Sequence, residues 1–294
     1  MKKILITGAN SYIGTSFEAY LKAHYVDDYI VDTIDMMTGS WEDKSFAGYD
    51  SVFHVAGIAH ADNREISEEK KKLYYSINTD LAIQTAVKAK NDGVKQFVFM
   101  SSAIVYGDSA PIGESKLITK DTLPAPDNCY GDSKLQAEIA LLKLNEESFK
   151  VVIIRSPMIY GEGCRGNYPL LVKIAVKCPL FPYVNNQRSM LYIDNLCEFV
   201  RLLICNEEKG IFWPQNREYS NTSELVKLIA KCHGKRIVII YGLESMLKKI
   251  GCKIPIINKA FGSLIYEQEI SVYKEEYRIH CLTDSIELTE RKKI

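Results

Sequence analysis

The chain has 294 residues, of which 47% are apolar and 25% are charged, the ordinary balance of a globular protein. Lysine and arginine together number 37, as do aspartate and glutamate, so the formal net charge is zero. This balance excludes a global electrostatic field that would recruit nucleic acid. The length suits one large domain, or a large domain with a smaller lobe.

The N-terminus lacks the pattern of an export signal, and no stretch approaches the ~20 apolar residues of a membrane span. The eight cysteines form no CxxC pair and have no histidine at zinc-finger spacing, so no metal site is predicted. We therefore expect a cytoplasmic protein with reduced, mostly buried thiols.

Short β-branched runs alternate with helical patterns in the first half of the chain, which is typical of a parallel sheet covered by helices. The predicted strands are residues 2–7, 29–35, 51–56, 95–101 and 150–155. Apolar residues three and four apart predict helices over residues 12–23, 68–90 and 130–147. The second and third strands are separated by too few residues for the usual helix and extra strand, so we expect a trimmed sheet there.

After residue 157 the prolines become frequent and the strict alternation is lost. We interpret residues 157–294 as mainly a substrate-binding lobe interleaved with a first domain of residues 1–156, with residues 192–207 returning to that domain. Residues 244–264 are basic and amphipathic. A cover over the substrate site is the favoured interpretation of this segment, and contact with a membrane surface is the alternative.

The stretch ITGANSYIGTSF, residues 6–17, has Gly8 and Gly14 with Ser11 midway between them. It follows a predicted strand and precedes a predicted helix, whose N-terminus presents free N–H groups and a partial positive charge to a phosphate. Ser11 has less backbone freedom than glycine and places a side chain near the expected pyrophosphate, although its hydroxyl can donate to that anion. A turn that only packs a helix on a strand is the alternative.

The second predicted strand ends at Asp35, about twenty residues beyond the last glycine of that turn. A carboxylate at this distance would bond the adenosine ribose of a dinucleotide. No basic residue follows until Lys44, which favours NAD and does not exclude NADP. Ordinary solvation of a strand end remains the alternative for Asp35.

In NCYGDSKLQAE, residues 128–138, Tyr130 and Lys134 lie four apart at the start of a predicted helix and share a face. An ammonium beside a phenol favours the phenolate and lowers its pKa from ~10 toward neutrality, so that the tyrosine can exchange a proton with an alcohol. Ser101 and Ser102 end a predicted strand, at the edge where open α/β sheets bind ligands. A hydroxyl there can bond the same reacting oxygen.

Six motifs occur in the order and spacing of the extended short-chain dehydrogenase/reductases. They are TGxxxYIG after the first strand, HVAG at 54–57, SINTD at 76–80, SSAIVYG at 101–107, YGDSK at 130–134 and IIRSPMIYG at 153–161. Over roughly residues 1–240 the chain resembles the nucleotide-sugar epimerases, dehydratases and reductases of the NAD-dependent epimerase/dehydratase family. The resemblance implies an α/β fold with a Rossmann-type, doubly wound parallel sheet and a smaller interleaved C-terminal substrate lobe.

The resemblance further implies a catalytic triad of Ser102, Tyr130 and Lys134. Tyr130 would be the acid or base on the sugar 4-hydroxyl, Ser102 would bond the same oxygen, and Lys134 would lower the tyrosine pKa and hold the nicotinamide ribose. The residues expected to contact the cofactor or support its site are Gly8, Ser11, Tyr12, Ile13, Gly14, Asp35, Ala56, Gly57, Asn78, Ser101, Tyr130, Lys134 and Pro157. His54 is expected to be a buried core histidine.

Two segments of the second lobe, GCRGNY and NNQRSMLYIDNL, resemble segments that hold a nucleotide diphosphate. The resemblance makes Asn167 and Arg188 substrate contacts, in addition to Ser102 and Tyr130. A guanidinium fits phosphate oxygens in two directions.

Three positions depart from the family pattern. Ser11 replaces the middle glycine, Trp41 stands near where many relatives have an adenine-reading Asp and aliphatic residue, and Met158 stands where many have a substrate-contacting Asn. None of the three removes the triad.

Within this family the same hydride step serves epimerisation, reduction of a 4-keto sugar or 4,6-dehydration. Dehydratases carry Thr, Asp and Glu where this chain has Ser102, Ala103 and Ile104, so dehydration lacks its acid and base. The predicted function is hydride transfer at the sugar 4-position by a UDP-hexose 4-epimerase-like enzyme with NAD. Two alternatives are a 4-keto reductase of a UDP-2-acetamido-2,6-dideoxy-4-hexulose in capsule or O-antigen synthesis, and a non-catalytic NAD(P)-binding sensor or scaffold. A homodimer is common among the family's members.

Overall fold

The structure, a computed structural model, describes residues 1–37, 40–59, 67–251 and 255–291, without the side chains of residues 255, 256 and 259. The strands are β1 Lys2–Thr7, β2 Tyr29–Ile34, β3 Ser51–His54, β4 Gln96–Ser102, β5 Ser115–Ile118, β6 Lys150–Ser156, β7 Met158–Tyr160, β8 Leu180–Pro182, β9 Met190–Tyr192, β10 Gly210–Phe212, β11 Val238–Ile240 and β12 Ser263–Tyr266. The helices are α1 Tyr12–His24, α2 Glu68–Tyr75, α3 Leu81–Asn91, α4 Cys129–Leu142, α5 Tyr168–Lys177, α6 Ile193–Cys205, α7 Thr222–Cys232, α8 Glu244–Gly251, α9 Pro255–Phe261 and α10 Leu282–Glu290.

Six strands form one parallel sheet in the order β10–β6–β4–β3–β1–β2. β3, β4 and β6 are apolar and buried along nearly their whole length, as expected for strands covered on both faces. The strand order reverses at β1, which lies between β2 and β3. Open α/β sheets bind ligands beyond the carboxyl ends of the strands at such a switch point. The predicted α/β fold with a parallel sheet is confirmed.

The elements agree with the predicted ones except that α4 ends at Leu142 and not at residue 147, and that a local bond interrupts another helix. The single helix predicted over 68–90 is divided into α2 and α3 by a π-helical turn at Ser76–Asp80, in which the Leu81 N–H donates to the Ser76 carbonyl. The segment between β2 and β3 contains no helix or strand within the residues described, as the short connection predicted. The sheet is therefore trimmed at this position.

One side of the sheet packs against α3 and α4 in an apolar core. Ala82, Ala86 and Ala89 of α3 are fully buried, and their small side chains let the helix lie close to the strands. Trp41, which departs from the family pattern, belongs to the same core with 5% of its surface exposed. Its side chain therefore serves packing.

The chain divides into two compact units. Unit 1 comprises residues 1–107, 123–156 and 196–213, and contains the six-stranded sheet; unit 2 comprises residues 108–122, 157–195 and 214–294. Residues 108–122, which the sequence analysis assigns to the first domain, thus belong to unit 2. The assignment of one unit to the dinucleotide and the other to the substrate stays a prediction.

The seven cysteines in the described residues are all free thiols, but only Cys197 is buried. The expectation of mostly buried thiols is wrong because Cys178, Cys205, Cys232 and Cys281 are exposed. All four lie at helix termini, where the backbone turns toward solvent. No helix in the described part of the chain is long and apolar enough to cross a membrane.

Candidate active site

Two glycines allow the turn between β1 and α1 to approach the neighbouring backbone without a side chain in between. Gly8 has a φ of +104°, and a Cβ atom there would lie 2.8 Å from the Ala56 nitrogen. At Gly14 a Cβ atom would lie 2.7 Å from Ser11 Oγ. Only glycine fits either position, and a turn of this shape brings bare backbone to the switch point of the sheet.

Ser11 is the N-cap of α1, and this role explains why the middle glycine is dispensable. Its backbone is extended, with φ −73° and ψ 145°, while the left-handed residue of the turn is Asn10 at φ +64°. Ser11 Oγ accepts from the Gly14 N–H at 3.1 Å, which leaves its own proton able to donate to an anion. Tyr12 and Ile13, both half-buried, form the first turn of the helix, where N–H groups point toward such an anion.

Asp35 follows β2 at the same edge of the sheet. The N–H groups of Gly8 and Ala9 both donate to the Ile34 carbonyl, so the carboxylate lies one residue beyond a direct contact with the turn. Asp35 Oδ1 accepts from the Met37 N–H at 2.8 Å. One of its oxygens is thus fixed by the chain, and a ribose contact through the other stays a prediction.

Asn78 joins the loop after β3 to α4. It is fully buried in the π-helical turn; its Oδ1 accepts from the Ile58 N–H at 2.9 Å, and its Nδ2 donates to the Ile58 carbonyl and to Ser133 Oγ. Thr79 adds a bond from its hydroxyl to the Ser133 carbonyl at 2.7 Å. The loop that carries Gly57 is therefore held in place from the side of α4.

Ser102 and Tyr130 come together where β4 ends and α4 begins. Ser102 Oγ accepts from the Ile104 N–H at 3.3 Å, and its interaction with the Tyr130 hydroxyl favours a lower pKa of that group. A Cβ atom at Gly131 would lie 2.6 Å from the Ile104 carbonyl oxygen, so glycine after the tyrosine is what allows this approach. Asn128 caps α4 by accepting from the Gly131 N–H at 2.9 Å.

Lys134 lies one helical turn further along α4, with its ammonium inside the protein. Nζ donates to the Met100 carbonyl at 2.9 Å and lies 4.5 Å from the centre of the Phe99 ring. It is also 3.2 Å from the position that a Cβ atom on Gly57 would take. Burial lowers the pKa of Lys134 to about 8, because desolvation penalises the charged form.

The pKa of Tyr130 departs from the sequence-based expectation. Burial raises the pKa above its usual value, the bond to Ser102 opposes this rise, and Tyr74 adds to it. The prediction that Lys134 lowers this pKa toward neutrality is wrong, because the effect of burial dominates and Lys134, whose ammonium donates to the Met100 carbonyl, is not among the groups that shift it. Tyr130 is therefore a phenol at neutral pH, able to donate its proton.

A buried ion pair lies behind this group. Arg155 Nη2 donates to Glu138 Oε2 at 2.7 Å, and the exposed fractions of the two side chains are 7% and 1%. The Ser101 hydroxyl donates to the same carboxylate, and Arg155 Nη1 donates to the Tyr106 hydroxyl at 2.6 Å. Trp213 Nε1 donates to that hydroxyl as well. The network thus holds the residue before Ser102 and the turn that follows it.

The sequence analysis missed this ion pair, although both residues lie inside motifs that it quoted. Glu138 is four residues after Lys134 and so lies on the same face of α4, and Arg155 ends a predicted strand. The sequence could have indicated the pair, because a carboxylate and a guanidinium each occur at a position expected to face the core, and such groups are rarely buried unless paired. Ser101, expected to contact the cofactor, instead has its side chain committed to Glu138.

His54 is a core residue, as expected. It is fully buried, its Nδ1 is bonded to the Thr7 hydroxyl at 2.8 Å, and its ring stacks on Phe97 and Phe99. Burial, with a smaller contribution from the charge of Lys134, lowers its pKa to about 3. His54 is therefore neutral at any physiological pH.

The remaining expected residues belong to unit 2. Pro157 is buried directly after β6, and Asn167 is exposed at the start of α5 without a side-chain capping bond. Arg188 is half-buried; its N–H donates to the Ser220 carbonyl at 2.9 Å and its guanidinium to the Ala260 carbonyl at 3.3 Å. Burial lowers the pKa of Arg188. The proposed contacts of these residues with cofactor or substrate stay predictions.

The chain is similar to sugar-nucleotide and sugar-lipid epimerases. The UDP-glucose 4-epimerase of Vibrio cholerae is 28% identical over 298 residues, which cover 93% of this chain and 89% of that protein. The N-acetyl-alpha-D-glucosaminyl-diphospho-ditrans,octacis-undecaprenol 4-epimerase of Escherichia coli O157:H7 is 27% identical over 257 residues, with 80% and 73% covered.

A solved structure shows the same fold. The UDP-glucuronic acid 4-epimerase from Bacillus cereus in complex with NAD superposes with a TM-score of 0.73 at 19% identity, covering 98% of this chain and 95% of that one. This similarity confirms the predicted Rossmann-type architecture. The model of the NAD dependent epimerase/dehydratase family matches residues 4–212, more than half of the sequence, and the chain therefore belongs to this family of NAD-dependent enzymes.

Proposed function

We propose that this protein is an NAD-dependent nucleotide-sugar 4-epimerase that acts by hydride transfer at the sugar 4-position. The observation that carries the proposal is the grouping of Ser102, Tyr130 and the buried ammonium of Lys134 where β4 ends and α4 begins, with Ser102 acting on the pKa of Tyr130. The similarity to a UDP-glucose 4-epimerase over 93% of the chain supports it. The UDP-linked substrate, the homodimer and the cytoplasmic location stay predictions.

The residues around the switch point fit NAD. Gly8 lets the turn pack directly on the Ala56 backbone, Gly57 lets its loop lie against Lys134 Nζ, and the N-terminus of α1 offers N–H donors to a pyrophosphate. When bound, NAD supplies a hydride acceptor and returns the hydride afterwards.

The reaction asks the side chains of unit 1 to hold and move one proton. Tyr130 is the group on the sugar 4-oxygen: its phenol gives a proton to that oxygen when the 4-keto group is reduced, and its phenolate, the minor form at neutral pH, takes the proton when the 4-hydroxyl is oxidised. Ser102, which interacts with the Tyr130 hydroxyl, is proposed to bond the same sugar oxygen. Lys134 is proposed to hold the nicotinamide ribose through its buried ammonium. In unit 2, Asn167 and Arg188 are proposed to bind the diphosphate.

Release and identification of the dinucleotide from purified protein, followed by incubation with UDP-galactose, tests the proposal. Bound NAD and formation of UDP-glucose are the expected results. Tyr130→Phe should lower kcat by about a hundredfold or more, the usual contribution of general acid–base catalysis. Tyr25→Phe is the matched control, since it also removes a hydroxyl but lies beyond the other end of α1, bonded to Glu198.

Two other results would overturn the epimerase assignment. Loss of the reduced-nicotinamide absorbance only when a UDP-4-keto sugar is added with NADH or NADPH would assign the protein as a 4-keto reductase. No turnover with either substrate, together with Tyr130→Phe indistinguishable from the wild type, would assign it as a non-catalytic dinucleotide-binding protein.

A further inference from the structure

Unit 2 exposes an apolar face on the two-stranded sheet of β8 and β11. The strands are parallel and in register, with Leu180 opposite Val238 and Pro182 opposite Ile240, so these four side chains lie on one side of the sheet. We call this set the β8–β11 face. Leu180 and Val238 are 54% and 59% exposed. Large apolar side chains that neighbour each other at such exposure form a patch, in contrast to single exposed residues.

The opposite side of the same sheet is buried at Phe181, so only the side of Leu180 and Val238 is strongly exposed within the strands. Phe181, between Leu180 and Pro182, is 7% exposed and its ring lies 5.4 Å from that of Phe261. At the carboxyl end of the strands Tyr241 is 67% exposed and stacks on Tyr183 with 4.8 Å between ring centres. The sheet thus has one side that packs through Phe181 and an apolar side that is exposed at Leu180 and Val238, while the tyrosine pair follows the strands on the side of Phe181.

Basic residues precede both strands in the chain, at the end of the sheet where the two parallel strands begin. Lys173 and Lys177 lie one turn apart at the end of α5, which leads into β8, and Lys235 and Arg236 precede β11. All four are exposed, and no ion pair of theirs occurs among the described residues. The segments 171–186 and 231–243 contain no aspartate or glutamate, although the whole chain is balanced in charge.

We propose that the β8–β11 face and its four basic residues dock the protein onto an anionic lipid bilayer. Apolar side chains that enter the headgroup region, flanked by basic residues facing anionic lipids, are the combination that binds a bilayer surface. Lysine is depleted at interfaces between proteins, which disfavours a second copy of the chain or another protein as the occupant.

Sedimentation of the full chain with vesicles tests the proposal without any need for turnover. Vesicles of phosphatidylcholine with phosphatidylglycerol should bind the protein, and binding should weaken with added salt and on vesicles of phosphatidylcholine alone. Lys177→Glu with Lys235→Glu should lower the affinity at least roughly tenfold, since each basic residue at an anionic surface contributes about fivefold. Leu180→Ser with Val238→Ser should lower the affinity on the same vesicles.

The matched control carries the same kinds of change in unit 1. Leu123→Ser with Lys143→Glu alters an exposed leucine and an exposed lysine, and vesicle binding should stay within about twofold of the wild type. The proposal is overturned if the wild type does not bind anionic vesicles, or if the control loses as much affinity as the face variants. It is also overturned if sedimentation velocity shows a wild-type dimer that Leu180→Ser with Val238→Ser converts to monomers, since the face would then bind a second copy.

Discussion

Removing Arg155 should cost far more stability than breaking an exposed ion pair of the same geometry. In the wild type its guanidinium donates to Glu138 at 2.7 Å, and neither side chain is more than 7% exposed. Arg155→Met leaves an uncompensated carboxylate in the interior, for which the loss is about 3–5 kcal/mol. For a chain of this size, that corresponds to a fall in Tm of roughly 5–8 °C.

The exposed pair of Arg217 and Glu276 provides the comparison. Its N–O distance is 2.9 Å, but its side chains are 64% and 47% exposed. Arg217→Met should therefore cost no more than about 1 kcal/mol. Denaturant unfolding of both variants measures the difference, and a cost below about 1 kcal/mol for Arg155→Met would refute the argument from burial.

The double variant separates the interaction of the pair from the loss of either side chain. Glu138→Met with Arg155→Met removes both charges, so its cost should be smaller than the sum of the two single costs, by about 1–3 kcal/mol. Strict additivity would show that the two groups do not act as a pair. Glu138 also accepts from Ser101, the residue before Ser102. Each single variant should therefore displace Ser102 from Tyr130, which should lower kcat and shift the pKa of Tyr130.

Three further predictions concern the cofactor site. Ser11→Ala should lower stability by about 1 kcal/mol through the lost cap and weaken NAD binding, whereas Ser11→Gly should cost only a few tenths, as thermal unfolding and NAD titration will show. Gly8→Ala should abolish NAD binding measured by calorimetry, because the φ of +104° strains alanine and its Cβ would meet Ala56. The NAD affinity of the wild type should fall as pH rises through about 8, where Lys134 loses its proton. Lys134→Arg stays charged, so its NAD affinity should not fall over this range. A wild-type NAD affinity that does not change with pH would contradict the role of Lys134 in cofactor binding.

The strands and most helices were predictable because their patterns are local. β-branched runs and apolar spacing placed β1, β4 and β6 within about two residues, and the short connection after β2 predicted the missing helix. The spacing of apolar residues did not predict the π-helical turn at Ser76–Asp80. That turn depends on Asn78 and Thr79 bonding to Ser133, some 55 residues away, and such a contact leaves no period in the sequence.

The sequence predicted which residues lie near each other at the site better than it predicted their pKa values. Spacing on a helix places Tyr130 and Lys134 on one face, and the sequence therefore suggested a direct effect of one on the pKa of the other. The structure shows that the nearest acceptor for the lysine is a backbone carbonyl, that of Met100, which spacing does not reveal. Burial then raises one pKa and lowers the other.

Ser11 illustrates how a motif is replaced without loss of the local geometry. The turn needs one left-handed residue near its middle, and Asn10 supplies it with little steric penalty, so the next residue is free to be extended. An extended residue before a helix is an N-cap position, where serine is favoured over glycine. The cap bond in turn places Ser11 Oγ where a Cβ on Gly14 would clash. The serine and the last glycine are therefore required together, and Gly14→Ala should be tolerated better in the presence of Ser11→Gly than alone, with thermal unfolding of the single and double variants as the measurement.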